Sequence, residues 1–294
     1  MTTSFLPGPW VDPETREAAP WLSHDGIVKF LEFPVRIDAI LHRAFHLYWQ
    51  RHHSPNVMNV TGFAQFMRKY NSGHRFPEAT PGLPAHYRQD MVLEGAAEVW
   101  VNSWREVASW LGHPLYAELV QPDEPRFIAQ DGRVVMMVGK EERIHEPDPD
   151  LIENGRVKLY VLFARKPGMN ASSFHEAVST HCKAIAARPS LASALRKLVV
   201  THRLADPTPL DFLPATWVDA VVEYWFDGRA DVSRFLATRD ISEEFLPAEQ
   251  GFTDTAQTRA VAAKAPAAAT GTGTGLDVLP WPQVDFTKLG PTEH

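Results

Sequence analysis

The residues best suited to chemistry crowd into one segment, DAILHRAFHLYWQRHH at 38–53. It holds His42, His46, His52 and His53, with Tyr48 and Trp49 between them. Histidine is the side chain whose ordinary pKa lies nearest neutrality, so it can both take and give a proton at working pH. At a helical turn of about 100° per residue, Leu41, Phe45, Tyr48 and Trp49 form one apolar stripe. With Phe45 as origin, His52 falls at about −20°, inside the stripe, and His53 at about +80°, on its edge. A histidine so placed is either a hydrogen-bonded core residue or an acid–base group beside a cavity. His42 and His46 also stand four apart, with Asp38 one turn earlier, a spacing that can hold zinc or iron. The later part of the chain repeats only His175 in register, so a solvated or capping role is expected, with no metal or other cofactor.

Other chemistries find little support. The chain has no Gly-rich dinucleotide loop or P-loop, and no G-x-S-x-G nucleophile elbow. Cys182 is a single thiol, which excludes an intrachain disulfide framework. A net charge of −7 argues against nucleic-acid partners, which need a basic surface. The sequence has no run of the roughly 20 apolar residues that a bilayer demands, so no membrane partner is expected. The first residues lack a basic start followed by an apolar run, and a soluble cytoplasmic protein is the expectation.

The elements that must position these residues occur twice. EGAAEVWVN at 94–102 is answered by DAVVEYWFD at 219–227, and VKFLEF at 28–33 by VKLYVL at 157–162. Phe45 and His52 in the first copy match Phe174 and His181 in the second. Such an internal repeat decides the architecture. Each copy reads strand, helix, strand, strand, helix, strand, the split βαββαβ of a ferredoxin-like unit, so the fold class is α+β with two tandem domains. The expected first helices cover 38–53 and 172–187, capped by Asp38 and Ser172. The second strands are expected at 63–70 and 197–204, and the last at 132–139 and 258–265. The division is an arm at 1–25, a first domain at 26–140, a linker at 141–155, a second domain at 156–264 and a tail at 265–294. Trp281 and Phe286 give that tail a docking segment. In the doubled strand, period two puts Glu94, Glu98 and Trp100 on one face, matched by Asp219, Glu223 and Trp225.

These residues resemble the EthD-like family of the dimeric α+β barrel superfamily. Phe45, Trp49, His53 and Pro55 fit its helix pattern, and Glu94, Glu98 and Trp100 fit its acidic residue and Glu-x-Trp strand. Asp123, Glu124 and Phe127 fit its downstream acid and Phe. Asp219, Glu223, Trp225, Glu249 and Phe252 repeat the last two features, and the likeness covers roughly 27–140 and 156–264. In the second copy Cys182 stands where the family's histidine is expected, His181 comes one position early and Ala184 replaces the proline. The working site is therefore expected in the first copy.

The resemblance implies that the two copies form a pseudo-dimeric barrel within one chain, and it leaves a homodimer open. It implies a cofactor-independent enzyme acting on a small hydrophobic aromatic or polyketide-like molecule. A lyase step, dehydration or C–C cleavage, is the expected reaction. His52 or His53 would move the proton, and Tyr48 or His74 would hydrogen-bond a phenol or carbonyl. Trp49, Trp100, Glu98, His181 and Trp225 would bind substrate. A cofactor-free monooxygenase and a non-catalytic ligand-binding or assembly protein are the alternatives.

Overall fold

The computed structural model describes residues 26–87, 91–151, 155–204 and 216–264. The arm at 1–25 and the tail with Trp281 and Phe286 lie outside the described residues. The strands are β1 (Val28–Phe33), β2 (Met67–Arg75), β3 (Gly95–Val101), β4 (Val135–His145), β5 (Val157–Phe163), β6 (Lys197–Arg203), β7 (Ala220–Phe226) and β8 (Arg259–Lys264). They close into one antiparallel barrel in the order β1-β3-β2-β8-β5-β7-β6-β4. Each repeat supplies a four-stranded sheet, and the two sheets join edge to edge at both sides. Closure satisfies the backbone groups that an open sheet edge would leave unpaired.

The two seams differ. β4 pairs with β6 from Gly139–Arg203 to His145–Leu198, whereas β2 meets β8 only at His74–Lys264 and Arg75–Ala263. The long seam uses residues 141–145, which were expected to begin a linker. Their alternating polar pattern hid a strand that finds its partner in the other repeat. β2 is likewise displaced from the expected 63–70. A short helix covers Thr61–Ala64, and the strand runs on through the polar NSGHR. That stretch lacks β-forming side chains and is extended by its ladder with β3.

Alternation along β1 separates two compartments. Val28 and Phe30 pack outward on Trp104, Val107 and Trp110 of the helix Trp104–Leu111. Leu31 and Phe33 face the barrel interior with Tyr160, Leu162 and Val221. The second repeat buries its long helix, Ala171–Ala186, against the outer face of its own sheet through Phe174, Val178, Cys182 and Ile185. Asn170, not Ser172, caps that helix by accepting the Ser173 amide at 2.7 Å. The first helix starts at His42 without a side-chain cap, and the exposed Asp38 instead lies 3.8 Å from Arg133.

Candidate active site

The first helix is not uniform. Residues His42–Tyr48 are α-helical, Trp49–His53 form a π-helical turn, and Ser54–Asn59 resume the α form. A π turn closes its hydrogen bonds one residue later, so each residue turns the chain by less than an α-helical step. The regular 100° reading therefore overshoots here. His53 comes round onto the buried side and His52 is left partly exposed, its ring tilted against that of Tyr48 with centroids 5.2 Å apart. The expected order of the two histidines is reversed.

His53 lines a cavity between this helix and the outer face of the first sheet. Its walls include Phe30, Trp49, Val57, Tyr70, Val99 and Trp110. The space is small, about 20 Å³, room for about one water. A substrate larger than this fits only if the walls move apart. His53 Nδ1 lies 3.1 Å from Asp123 Oδ2, and the Tyr48 hydroxyl donates to Oδ1 of the same carboxylate. Asp123 is 5% exposed and arrives from the loop before Phe127, whose ring packs 4.8 Å from that of His53. An Nδ1–H bonded to a buried carboxylate fixes the tautomer that leaves the Nε2 lone pair as a base.

Two further polar side chains on this cavity wall, Glu32 and Trp110, were not singled out in the sequence, and Glu124, matched there to the family's downstream acid, stands beside them. Glu32 sits on the helix-facing side of β1, and its carboxyl is pushed up to about 8 by burial and by the nearby Glu124 carboxylate. Glu124 is raised too, chiefly by burial, and accepts a 2.6 Å hydrogen bond from the Tyr116 hydroxyl. Trp110 Nε1, buried on the cavity wall, finds no acceptor among the described residues. The signal for Glu32 was present in VKFLEF, where an acid interrupts an apolar strand. Tyr70, pushed up to about 12 by burial, bonds to Ser54 at 2.9 Å and stays a neutral wall.

The second repeat clarifies its departure from the family pattern. His181 packs 5.3 Å from Phe252 and lies 3.6 Å from Glu249, as His53 relates to Phe127 and Asp123. The helix there is regular, so one residue fewer separates Phe174 from its histidine. His181 thus occupies the inner place, and Cys182 is a buried core thiol whose pKa is raised by burial. Tyr87, from the first half of the chain, donates to Glu249 at 3.0 Å and fills this site with an aromatic ring.

Glu98, Trp100 and Trp225, expected to touch substrate beside Trp49, lie elsewhere. Period two turns them into the barrel. Glu98 is fully buried, 2.6 Å from Lys29 Nζ and ion-paired with Lys158. Trp100 and Trp225 stack on these lysines, 4.5 and 3.8 Å from Nζ to ring centroid, and line a basic cavity of about 470 Å³ at the barrel mouth. His74 belongs to a third group, within 2.9 Å of His46 and with its ring centroid 4.7 Å from that of Trp49. Of the residues expected to form one site, the structure brings together His53, Tyr48 and Trp49.

Two ferredoxin-like sheets closed into one barrel, with a histidine–carboxylate pair beneath the first helix, define an α+β barrel protein. Residues 38–131 match the family model of the EthD domain. No curated protein matches the sequence. Among solved structures, an anthrone oxidase-like protein aligns with 88% of this chain and 98% of its own, at 8% identity and a TM-score of 0.57. A candidate monooxygenase from Fusobacterium nucleatum covers 87% and 99%, at 7% identity and a TM-score of 0.49. An EthD-like protein from Ralstonia eutropha covers 43% and 99%, at 16% identity and a TM-score of 0.30. At these identities the likeness is one of fold. No helix among the described residues is long and apolar enough to cross a membrane.

Proposed function

We propose that the chain is a small-molecule lyase that dehydrates a hydrophobic aromatic or polyketide-like β-hydroxy ketone in the cavity of the first repeat. The observation that carries this reading is a base and a proton donor in one apolar cavity: His53, held by buried Asp123, and Glu32. His53 Nε2 takes the proton next to the ketone. Trp110 Nε1–H donates to the carbonyl oxygen as charge gathers there. The protonated Glu32 carboxyl gives its proton to the departing hydroxyl, which leaves as water and forms the double bond. The two protons are handled by two side chains, so the step needs no cofactor. The barrel-mouth cavity is roomier, but its two carboxylates, Glu141 and Glu223, are engaged with Lys29.

The same carbanion could instead add O₂, and the anthrone oxidase-like protein of matching fold favours keeping this second reading. A panel of aromatic β-hydroxy ketones and anthrone-type tricycles, assayed in air and under argon, separates them. Dehydration proceeds equally in both. Oxygen uptake matched to substrate loss would replace the lyase by a monooxygenase, and no turnover of any member would remove both.

Glu32 makes the lyase pH-dependent in a stated direction. It donates only while protonated, so turnover should fall as pH rises through about 8. Glu32→Gln should lose about 10²-fold in turnover and lose that alkaline limb. Stability should move the same way. Between about 4.3 and the folded value, folded Glu32 keeps a proton that the unfolded chain has lost, so the native state weakens as pH rises across that window. Denaturant midpoints measured from pH 5 to pH 9 should show this slope in the wild type and a shallower one in Glu32→Gln.

A further inference from the structure

Outside this cavity, three histidines, a carboxylate and two guanidinium groups meet where the first helix crosses the end of β2. His42 and His46 stand one helical turn apart, with ring centroids at 4.1 Å. Glu94 approaches from just ahead of β3, its side chain 1% exposed. Gly95 follows it with φ +133°, and a Cβ there would lie 1.9 Å from the Gly73 carbonyl oxygen, so only glycine permits this backbone conformation. The result is a triangle of potential ligand atoms. His42 Nδ1 is 2.9 Å from Glu94 Oε2, His46 Nε2 is 3.0 Å from His42 Nδ1, and His46 Nε2 is 3.2 Å from Glu94 Oε2.

We propose that His42, His46 and Glu94 bind one divalent first-row transition-metal ion as a two-histidine, one-carboxylate face. Metal–ligand bonds of about 2.1 Å at right angles place neighbouring ligand atoms about 3.0 Å apart, and a tetrahedral ion spreads them to about 3.4 Å. The observed edges match the first figure, three adjacent corners of an octahedron. Two imidazoles favour iron, manganese, cobalt, nickel or zinc over calcium or magnesium, which prefer oxygen throughout. Asp38, which the sequence spacing offered as the third ligand, is exposed and turned to Arg133. The carboxylate comes instead from a residue 48 positions beyond His46.

The groups behind the ligands fit this reading. His46 Nδ1 lies 2.9 Å from His74 Nδ1, which fixes the ring with Nε2 toward the triangle. Arg36 Nε donates at 3.0 Å to Glu94 Oε1, leaving Oε2 for the ion. Arg75 is the competitor. Its Nη2 is 3.1 Å from both His42 Nδ1 and Glu94 Oε2, so it supplies positive charge where the ion would. Its side chain is 20% exposed and can swing into solvent when a metal takes its place.

The test uses the full chain without a histidine tag, stripped with chelator and titrated calorimetrically with Zn²⁺, and with Mn²⁺ and Fe²⁺ under argon. Co²⁺ absorption reports the donor set. The expected result is one ion per chain. His42→Ala and His46→Ala, whose side chains are 21% and 14% exposed, should each weaken binding by at least about 10²-fold. His74→Ala should weaken it by about 10-fold or more, and Arg75→Ala should tighten it. Circular dichroism confirms the fold of each variant. The proposal is overturned if the wild type takes up none of these ions, or if folded His42→Ala and His46→Ala bind as the wild type does.

Discussion

His53→Ala is expected to lose at least about 10²-fold in kcat/KM, while His52→Ala keeps turnover close to that of the wild type. The two residues are adjacent and chemically identical, so the contrast isolates position. His53 is buried on the cavity wall and bonded to Asp123, whereas His52 is partly exposed on the far side of the π turn. Asp123→Asn should lose activity as His53→Ala does, because an amide can present its N–H to Nδ1 and stabilise the wrong tautomer. The loss should fall mainly on kcat, since the base acts in the transition state rather than in binding. Steady-state kinetics on a confirmed substrate, with circular dichroism to verify the fold, decides the matter. A fully active His53→Ala, or a crippled His52→Ala, would transfer the chemistry to another site.

That contrast also marks where sequence reading stops. The alternation in EGAAEVWV and DAVVEYWF correctly grouped Glu98 with Trp100 and Glu223 with Trp225 on one face of each strand, because a strand's period is fixed at two. It could not say that this face looks into the barrel. Lys29 and Lys158, which meet both glutamates, are distant in the chain and become neighbours only on closure. The helix was harder. A single π turn changes which histidine is buried and also accounts for the apparent one-residue slip of His181, yet no residue type in WQRHH announces it. Glu32 was visible as an acid in an apolar strand, but its raised pKa comes from burial on folding and from Glu124, 92 residues later, brought near by the fold. The His42–His46 spacing was legible. Its carboxylate was not, because Glu94 reaches it from just ahead of β3, where Gly95 takes a positive φ close against Gly73.

The largest expected effect on stability lies in the barrel interior, where Glu98→Gln should cost more than Glu223→Gln. Glu98 accepts from Asn71 Nδ2 at 2.7 Å and from the Tyr160 hydroxyl at 3.1 Å, besides pairing with Lys29 and Lys158. Burial alone would raise its pKa, but the two ammonium groups outweigh that and hold it well below the usual carboxylate range. Glu223 pairs with the same two lysines, yet its pKa is raised, by burial and by the Glu98 and Glu141 carboxylates. Two cations thus face three carboxylates, and Glu223 is the one that most readily keeps a proton. Neutralising Glu98 breaks its pairs with both lysines, disturbs its bonds from Asn71 and Tyr160, and leaves Glu223 to ionise in its place, and breaking a buried pair costs up to about 3–5 kcal/mol. Neutralising Glu223 replaces a group already inclined to be neutral, so the loss should be smaller. Because the folded pKa of Glu98 is depressed, its contribution is present above the unfolded value of about 4.3 and is lost as pH falls through the folded one. Urea midpoints of both variants at neutral and acid pH test this, and equal losses would refute the assignment of charge. Each lysine reaches across to the glutamate of the other repeat, Lys29 to Glu223 and Lys158 to Glu98. Losing Glu98 should therefore loosen the joint between the two halves before either half melts. Hydrogen exchange should show that loosening first at the short seam between β2 and β8, where the ladder is weakest.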